Sequence, residues 1–191
     1  MKNIFFDPKD LAHLGKNVII GKTVRIRKPE KVKIYDNVII DDFVYISGEV
    51  SIGSHSHIAS NVTLAGSTRS IKIGKYSGVS AGAQIYASSS NYLSVGIDLP
   101  TFPESIQYGN HHERVILEDM SLIGANAIIL PGVTIKEGVA ISAGCIVSKK
   151  EKISPWSIYA RNGKTAPRSG TVSYTHLRAH ETRGNLVCRL L

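Results

Sequence analysis

Residues 34–69 read IYDNVI-IDDFVY-ISGEVS-IGSHSH-IASNVT-LAGSTR, six consecutive hexapeptides that each begin with isoleucine or leucine. The fifth residue of each hexapeptide is small or β-branched. A six-residue period matches neither the turn of an α-helix nor the simple alternation of a lone strand. It is typical of a short flat strand followed by a tight turn, with the large residue inside and the small one near the corner. We therefore predict a β-solenoid whose coils each contain three such strands.

The same period continues through most of the chain. It gives 20 hexapeptide starts, of which 19 are aliphatic and the last is a tyrosine. The starts are Leu14, Ile20, Ile26, Ile34, Ile40, Ile46, Ile52, Ile58, Leu64, Ile73, Val79, Ile85, Leu117, Ile123, Ile129, Ile135, Ile141, Val147, Ile153 and Tyr159. Three hexapeptides to a coil predict an all-β fold, a parallel β-helix of six to seven triangular coils.

The period is interrupted three times. Two extra residues lie between Ile26 and Ile34, three lie between Leu64 and Ile73, and 26 lie between Ile85 and Leu117. A regular prism has flat sides, so a long insertion is the place where a function is expected. We predict that 88–114 is a protruding functional loop.

The ends of the chain differ in composition from the repeats. Residues 1–13 are expected to form an N-terminal cap, 14–165 the β-helix domain and 166–191 a tail. Residues 171–191, which begin TVSYTH, resemble the translated read-through of a DNA-sequencing adapter and are expected to be non-native. They hold three arginines and one glutamate, so 1–170 carry +6 of the formal net charge of +8.

The bulk composition excludes several classes of protein. Two cysteines provide no disulfide framework, and no apolar stretch is long enough for a membrane span. The N-terminus lacks the apolar run of a signal peptide, so a cytoplasmic location is expected. The positive charges are dispersed rather than clustered in a basic run, which favours a phosphorylated small molecule over nucleic acid as the partner.

The repeats and several local motifs resemble the hexapeptide-repeat acetyltransferases of the galactoside, maltose and xenobiotic type. The sequence is still more similar to the sugar acetyltransferases of O-antigen and capsule synthesis. The motifs are Asp10-Leu11, Leu14-Gly15, Ile40-Asp41-Asp42-Phe43, His57-Ile58-Ala59, Ser90-Asn91-Tyr92, Ile123-Gly124-Ala125, 129–135 and Ile158-Tyr159-Ala160. The resemblance implies a left-handed β-helix, a homotrimer, and acetyl-CoA bound in the groove between subunits.

Acetyl transfer requires a base that removes a proton from the acceptor, and a neutral histidine suits this role. His57 is our first candidate, since it lies five residues after Ile52 and so points outward from the prism. His112, at the end of the long loop, is the second candidate, ahead of His111. Cys145 occupies a small inward position and is expected to be buried, which favours direct transfer over an acyl-enzyme.

The resemblance also implies which residues bind the two substrates. Ala125 and Ala143 correspond to positions beside the pantetheine arm of the coenzyme, and Ser148 and Lys149 to a step that meets its phosphate. Asn91 and Tyr92 are assigned to acceptor binding.

The sequence thus predicts transfer of an acetyl group to an amino or hydroxyl group of a sugar. We expect this sugar to be nucleotide-linked and destined for surface polysaccharide. Two alternatives remain open. One is a non-catalytic scaffold, and the other is a zinc hydro-lyase like the carbonic anhydrases that share this prism, whose metal needs three histidines. The usual spacing of those histidines is absent, so we predict no metal site.

Overall fold

The computed structural model describes residues 3–90 and 111–168, and it confirms a left-handed parallel β-helix with three flat faces. Face 1 contains β1 (His13–Leu14), β4 (Val32–Ile34), the ends of β6 (Tyr45–Ile52) and β8 (Thr63–Ile73), β13 (Val115–Leu117) and β16 (Thr134–Ile135). Face 2 contains β2 (Ile19–Ile20), β5 (Ile39–Ile40), β7 (His57–Ile58), β9 (Gly78–Val79), β14 (Leu122–Ile123), β17 (Ala140–Ile141), β19 (Ser157–Tyr159) and β20 (Thr165–Pro167). Face 3 contains β3 (Arg25–Ile26), the starts of β6 and β8, β10 (Gln84–Tyr86), β15 (Ile128–Ile129) and β18 (Ile146–Val147).

Four further elements lie outside the faces. Two single turns of 3-10 helix span Pro8–Asp10 and Pro29–Lys31. A short antiparallel pair, β11 (Ser88–Ser89) and β12 (His111–His112), forms the base of the predicted loop. None of the helices in the described part of the chain is long and apolar enough to cross a membrane.

Strand register divides the prism into six complete coils and part of a seventh. Coil 1 begins at His13, coil 2 at Val32, coil 3 at Val50, coil 4 at Ile71, coil 5 at Val115, coil 6 at Thr134 and coil 7 after Ser148. All three interruptions of the period fall between face 3 and face 1. We call this corner of the prism the 3–1 edge, and the other two corners the 1–2 edge and the 2–3 edge.

The interior is a stack of aliphatic side chains, as the period predicts. The largest fully buried side chains are Ile34, Ile40, Ile46, Ile52, Ile58, Leu64, Ile71, Ile73, Ile85, Leu117, Ile123 and Ile129. Leu14 departs from the pattern with 42% of its surface exposed, because coil 1 has a neighbouring coil on one side only.

Buried serines at the small inward positions are all hydrogen-bonded. The Ser56 hydroxyl donates to the Gly74 carbonyl at 2.9 Å, and the Ser121 hydroxyl donates to the Glu118 carbonyl at 2.6 Å. No buried side-chain nitrogen or oxygen in the described residues lacks a partner. The hydrogen bonds of these buried polar groups therefore offset the cost of removing them from water.

The corners require backbone in the left-handed region, which is unfavourable for residues other than glycine. Along the 1–2 edge this conformation falls on Asn17, Asn37, His55, Tyr76, Met120, Gly138 and Trp156, one residue from each coil. The side-chain Nδ2 of Asn17 donates to the side-chain Oδ1 of Asn37 at 3.1 Å, and the rings of His55 and Tyr76 stack with centroids 4.9 Å apart. Side-chain contacts between successive coils thus accompany several of these corners.

The two ends of the described chain are anchored by polar contacts. The Asn3 amide donates to the carbonyls of Gly21 and Val24 at 3.0 and 2.8 Å, which holds residues 3–6 against coil 1. At the other end, β20 pairs antiparallel with β19, and Arg168 donates to backbone carbonyls of Met120 and Gly138. The predicted boundary at 165 therefore falls inside a strand, while 169–191 lie outside the described residues.

We predict that Ile58→Ala lowers the free energy of unfolding by about 2–5 kcal/mol, because the deletion leaves a cavity in the stacked core. Ile4→Ala is the matched control, since Ile4 is 66% exposed, and it should change stability by less than about 0.5 kcal/mol. Urea unfolding followed by circular dichroism measures both. Equal losses in the two variants would contradict the stacked-core interpretation.

Candidate active site on face 2

Face 2 is nearly free of charge. Its strands present two outward columns to the surface. The first column is Ile19, Ile39, His57, Gly78, Leu122, Ala140 and Ile158, and the second is Gly21, Asp41, Ala59, Ser80, Gly124, Ser142 and Ala160. Among these positions only His57 and Asp41 are ionisable. Face 1 by contrast carries Lys33, Lys72 and Lys136.

The two ionisable residues form a pair. His57 projects from β7 in coil 3, and its Nε2 lies 2.8 Å from Oδ2 of Asp41, which follows β5 in coil 2. The side chains are 54% and 42% exposed, so both remain accessible to a ligand. Because an ionised carboxylate can only accept, Nε2 carries the hydrogen in the neutral ring and Nδ1 is left as a free acceptor. This is the arrangement of a general base oriented by a carboxylate.

A groove of about 650 Å³ opens beside this pair, over coils 1 and 2. Its lining is mostly apolar, from Leu14, Ile19 and Ile20, but it also includes the carboxylates of Asp41 and Asp42. Hydrogen bonds from Thr23, at 2.7 Å from its hydroxyl and 2.9 Å from its amide, lower the pKa of Asp42. The groove therefore combines an apolar wall with negative charge at the end that faces His57.

The predicted coenzyme residues Ala125 and Ala143 lie together on the 2–3 edge, in coils 5 and 6. The amide of Gly144 donates to the carbonyl of Ala125 at 2.8 Å, which stacks one corner on the next. Gly124 allows this close approach, since a Cβ at Gly124 would lie 2.5 Å from the amide nitrogen of Ala143. These corners border face 2 on the side of His57 opposite the groove.

The loop base on the 3–1 edge holds a second cluster of polar residues. Glu113 Oε1 lies 2.6 Å from Nε2 of His111 and 2.5 Å from Nζ of Lys149, a residue that we predict to contact coenzyme. The hydrogen bond from Lys149, with the positive charge of that residue, lowers the pKa of Glu113. His112 Nδ1 faces the Ser67 hydroxyl at 3.5 Å, which is the outer limit of a hydrogen bond.

The structure separates the two predicted catalytic histidines. In a three-sided prism, face 2 lies opposite the 3–1 edge, so His57 is remote from His112, Ser148 and Lys149 within one chain. Asn91 and Tyr92 lie outside the described residues. In the parts of the chain that the structure describes, no three metal-ligating side chains lie together.

Cys145 is buried as expected, with its thiol directed at the carbonyl of Tyr159 at 3.8 Å. Burial raises the pKa of this thiol, which keeps it protonated and unreactive.

The sequence analysis did not identify the contacts of Asp41 with His57 and of Glu113 with Lys149. Asp41 could have been found, because it precedes His57 by sixteen residues, two fewer than the 18-residue coil that separates Ile39 from His57. Residues in this diagonal relation on two neighbouring parallel strands are close enough for their side chains to form a hydrogen bond. Glu113 carried no such signal, because the insertion at 88–114 breaks the phase of the repeat.

Comparison with known proteins agrees with the fold. Residues 31–66 match the family model for the bacterial transferase hexapeptide (six repeats), and 114–149 match that for the hexapeptide repeat of succinyl-transferase. No curated protein sequence matches the chain.

Among solved structures, AntD, an N-acyltransferase from Bacillus cereus in complex with dTDP and 3-hydroxybutyryl-CoA, is 30% identical, with a TM-score of 0.84. The match covers 96% of this chain and 100% of AntD. A maltose O-acetyltransferase from Clostridium difficile 630 is similar in fold alone, with 18% identity and a TM-score of 0.54 over 84% of this chain and 71% of that chain. The chain belongs to the hexapeptide-repeat acyltransferases and is an enzyme of that family.

We predict that Glu113→Gln lowers the thermal midpoint near neutral pH and that the difference from wild type disappears in acid. A carboxyl whose pKa is depressed on folding contributes stability that is complete above its unfolded pKa of about 4.3 and is lost as the pH falls through the folded value. Thermal melts between pH 7 and about pH 3 measure this difference. Glu49→Gln, at an exposed glutamate of the same edge, is the control, and an equal pH-dependent effect there would contradict the assignment.

Proposed function

We propose that this enzyme transfers an acyl group from a coenzyme A thioester to the amino group of a nucleotide-linked sugar. The observation that carries the proposal is the His57–Asp41 pair, whose members are the only ionisable residues in the two outward columns of face 2. The family relationship supports it, because a mutant of the N-acyltransferase AntD has been solved with dTDP-4-amino-4,6-dideoxyglucose and coenzyme A. Acetyl-CoA is the simplest acyl donor that is consistent with this proposed reaction.

In the proposed reaction, Nδ1 of His57 accepts a proton from the acceptor amine as its nitrogen attacks the thioester carbonyl. A carbon–nitrogen bond forms, the tetrahedral intermediate collapses and the carbon–sulfur bond breaks. The imidazolium then returns the proton to the departing thiolate, so that amide and free coenzyme A are the products. Asp41 holds the ring in place and stabilises its charged form. No acyl-enzyme is required, which agrees with the burial of Cys145.

The two substrates are proposed to approach His57 from opposite ends of face 2. The groove over coils 1 and 2 receives the sugar, and the carboxylates of Asp41 and Asp42 attract its amino group. The coenzyme arm reaches the histidine from coils 5 and 6, along the corners that carry Ala125 and Ala143. Nucleotide-linked sugars are activated for glycosyl transfer, and this property is consistent with a role in O-antigen or other surface polysaccharide synthesis.

We also propose that the enzyme acts as a homotrimer. Faces 2 and 3 carry exposed apolar side chains such as Leu122 and Ile146, whereas face 1 carries the lysines. If the 2–3 edges of three prisms meet at a threefold axis, a wedge-shaped groove opens between face 2 of one chain and face 3 of the next. His112, Ser148 and Lys149 on the 3–1 edge then border this groove, across from His57 of a neighbouring chain.

We predict that His57→Ala lowers kcat at least about 100-fold, because the base is removed. Asp41→Asn should lower kcat as well, because the substitution changes the orientation of the His57 ring. The KM for acetyl-CoA should change little, because Asp41 is not part of the proposed coenzyme site. The assay measures thiol release from acetyl-CoA with dTDP-4-amino-4,6-dideoxyglucose as acceptor. His55→Ala is the matched control, since His55 lies on the 1–2 edge, and its turnover should match wild type. Unchanged turnover in His57→Ala would contradict the proposed base.

We predict a sedimentation-equilibrium mass of three chains. Ile146→Lys, on face 3 where this side chain is 60% exposed, should shift the population toward monomer and reduce activity in parallel. Thr134→Lys places the same charge on face 1 and should leave the trimer intact. A monomeric wild-type chain with full activity would overturn the shared-groove proposal.

A further inference from the structure

The first residues of the described chain cross the open end of coil 1, and we call residues 3–12 together with coil 1 the cap end of the prism. Asn3 ties this segment to the 2–3 edge, and the amide of Ala12 donates to the Pro29 carbonyl at 3.1 Å on the 3–1 edge. Between these anchors, Ile4 and Phe5 are 66% and 53% exposed. The cap end therefore displays two large apolar side chains to solvent.

Exposed cations lie at all three edges of coil 1. They are Lys16 at the 1–2 edge, Lys22 at the 2–3 edge, and Arg27, Lys28 and Lys31 at the 3–1 edge. Residues 3–31 hold seven lysines and arginines against three carboxylates, a net charge of +4. The other described residues are far more numerous, yet they hold twelve against nine, a net charge of +3. Positive charge is therefore concentrated at the cap end.

At two of these edges the cation is followed, one coil deeper, by a carboxylate. Strand register places Asp36 next to Lys16 and Asp42 next to Lys22. Both carboxylates are engaged by backbone, since Asp36 accepts the Lys16 amide at 2.6 Å and Asp42 accepts the Thr23 amide at 2.9 Å. A flat partner that meets the cap end thus comes closer to the cations of coil 1 than to these carboxylates of coil 2.

We propose that the cap end docks on an anionic lipid surface. In proteins that lie on a membrane, apolar side chains enter the boundary between headgroups and acyl chains, while lysine and arginine are attracted to anionic lipids. The guanidinium of Arg25 lies 5.8 Å from the centroid of the Phe5 ring, so the two kinds of group are adjacent here. A nucleic acid would use the cations, because its phosphates dominate affinity, but it would leave Ile4 without a role.

The shape of the cap end also suits a flat surface. In the proposed homotrimer the three prisms run parallel to the threefold axis, so their cap ends lie in one plane. Three weak contacts to the same surface then reinforce one another, because the second and third form at a high effective concentration. Only this reinforcement rests on the proposed function. The docking of a single cap end does not depend on the acyl transfer reaction.

The test is cosedimentation of the full chain with vesicles of phosphatidylcholine alone, and with vesicles of phosphatidylcholine and phosphatidylglycerol in equal parts. Wild type should bind the anionic vesicles, release them as salt is raised and leave the neutral vesicles unbound. Phe5→Ala should weaken binding at least about tenfold, because the buried apolar area is lost. The double variant Arg27→Glu and Lys28→Glu should weaken it at least as much.

The matched control is the double variant Lys150→Glu and Lys152→Glu. It makes the same change in net charge at two exposed lysines of coil 7, at the opposite end of the prism. Its binding to anionic vesicles should equal that of wild type. Equal losses in the two charge-reversed proteins would show that net charge alone attracts the vesicles, and this would overturn the assignment to the cap end.

Two further measurements exclude other occupants of the cap end. If poly(U) RNA binds as tightly as anionic vesicles and Phe5→Ala leaves both affinities unchanged, the partner is a nucleic acid and the lipid proposal is wrong. If Phe5→Ala lowers the sedimentation-equilibrium mass, a second copy of the chain covers Phe5, and the proposal is equally wrong. Turnover without vesicles should be the same in wild type and all these variants, so a failure of docking leaves the proposed function standing.

Discussion

Backbone hydrogen bonds between successive coils are the constraint on which the rest of this molecule depends. On face 2 the amide of Ile39 donates to Ser56, that of His57 to Ser77 and that of Gly78 to Ser121, at 3.0–3.1 Å. These bonds lock each residue directly above its counterpart one coil earlier, so side chains stack in columns rather than scatter over a surface. Any interruption must be absorbed without breaking this ladder.

The columns turn a flat face into an ordered series of positions. Along face 2 the series begins with the apolar groove, continues through the His57–Asp41 pair, and ends near Ala125 and Ala143. Neighbouring coils are about 4.8 Å apart. The proposed sugar site, the base and the proposed coenzyme site therefore follow one another along the face at distances that two bound substrates can span. A rigid prism can therefore orient both reactants without a deep cavity.

The insertions show how the same constraint directs variation to one place. All three enter at the 3–1 edge, where β8 continues through the corner and its register with β6 shifts around Gly48. The largest insertion emerges from the antiparallel pair of β11 and β12, and Glu113 links its base to Lys149 at the start of coil 7. This edge supplies polar groups that face 2 lacks, and the proposed trimer would bring them to face 2 of a neighbouring chain.

The sequence by itself determined the coil, the interior columns, the three interruptions and the outward direction of His57, because each follows from a local six-residue period. It also placed Cys145 in the core. Only the tertiary structure decided that Glu113 pairs with Lys149 and that His57 and His112 lie on opposite sides of the prism, whereas the sixteen-residue spacing of Asp41 and His57 already allowed their pairing. These relations depend on the register between coils, which shifts with every insertion, and a local period carries no information about contacts between strands that are far apart in the chain.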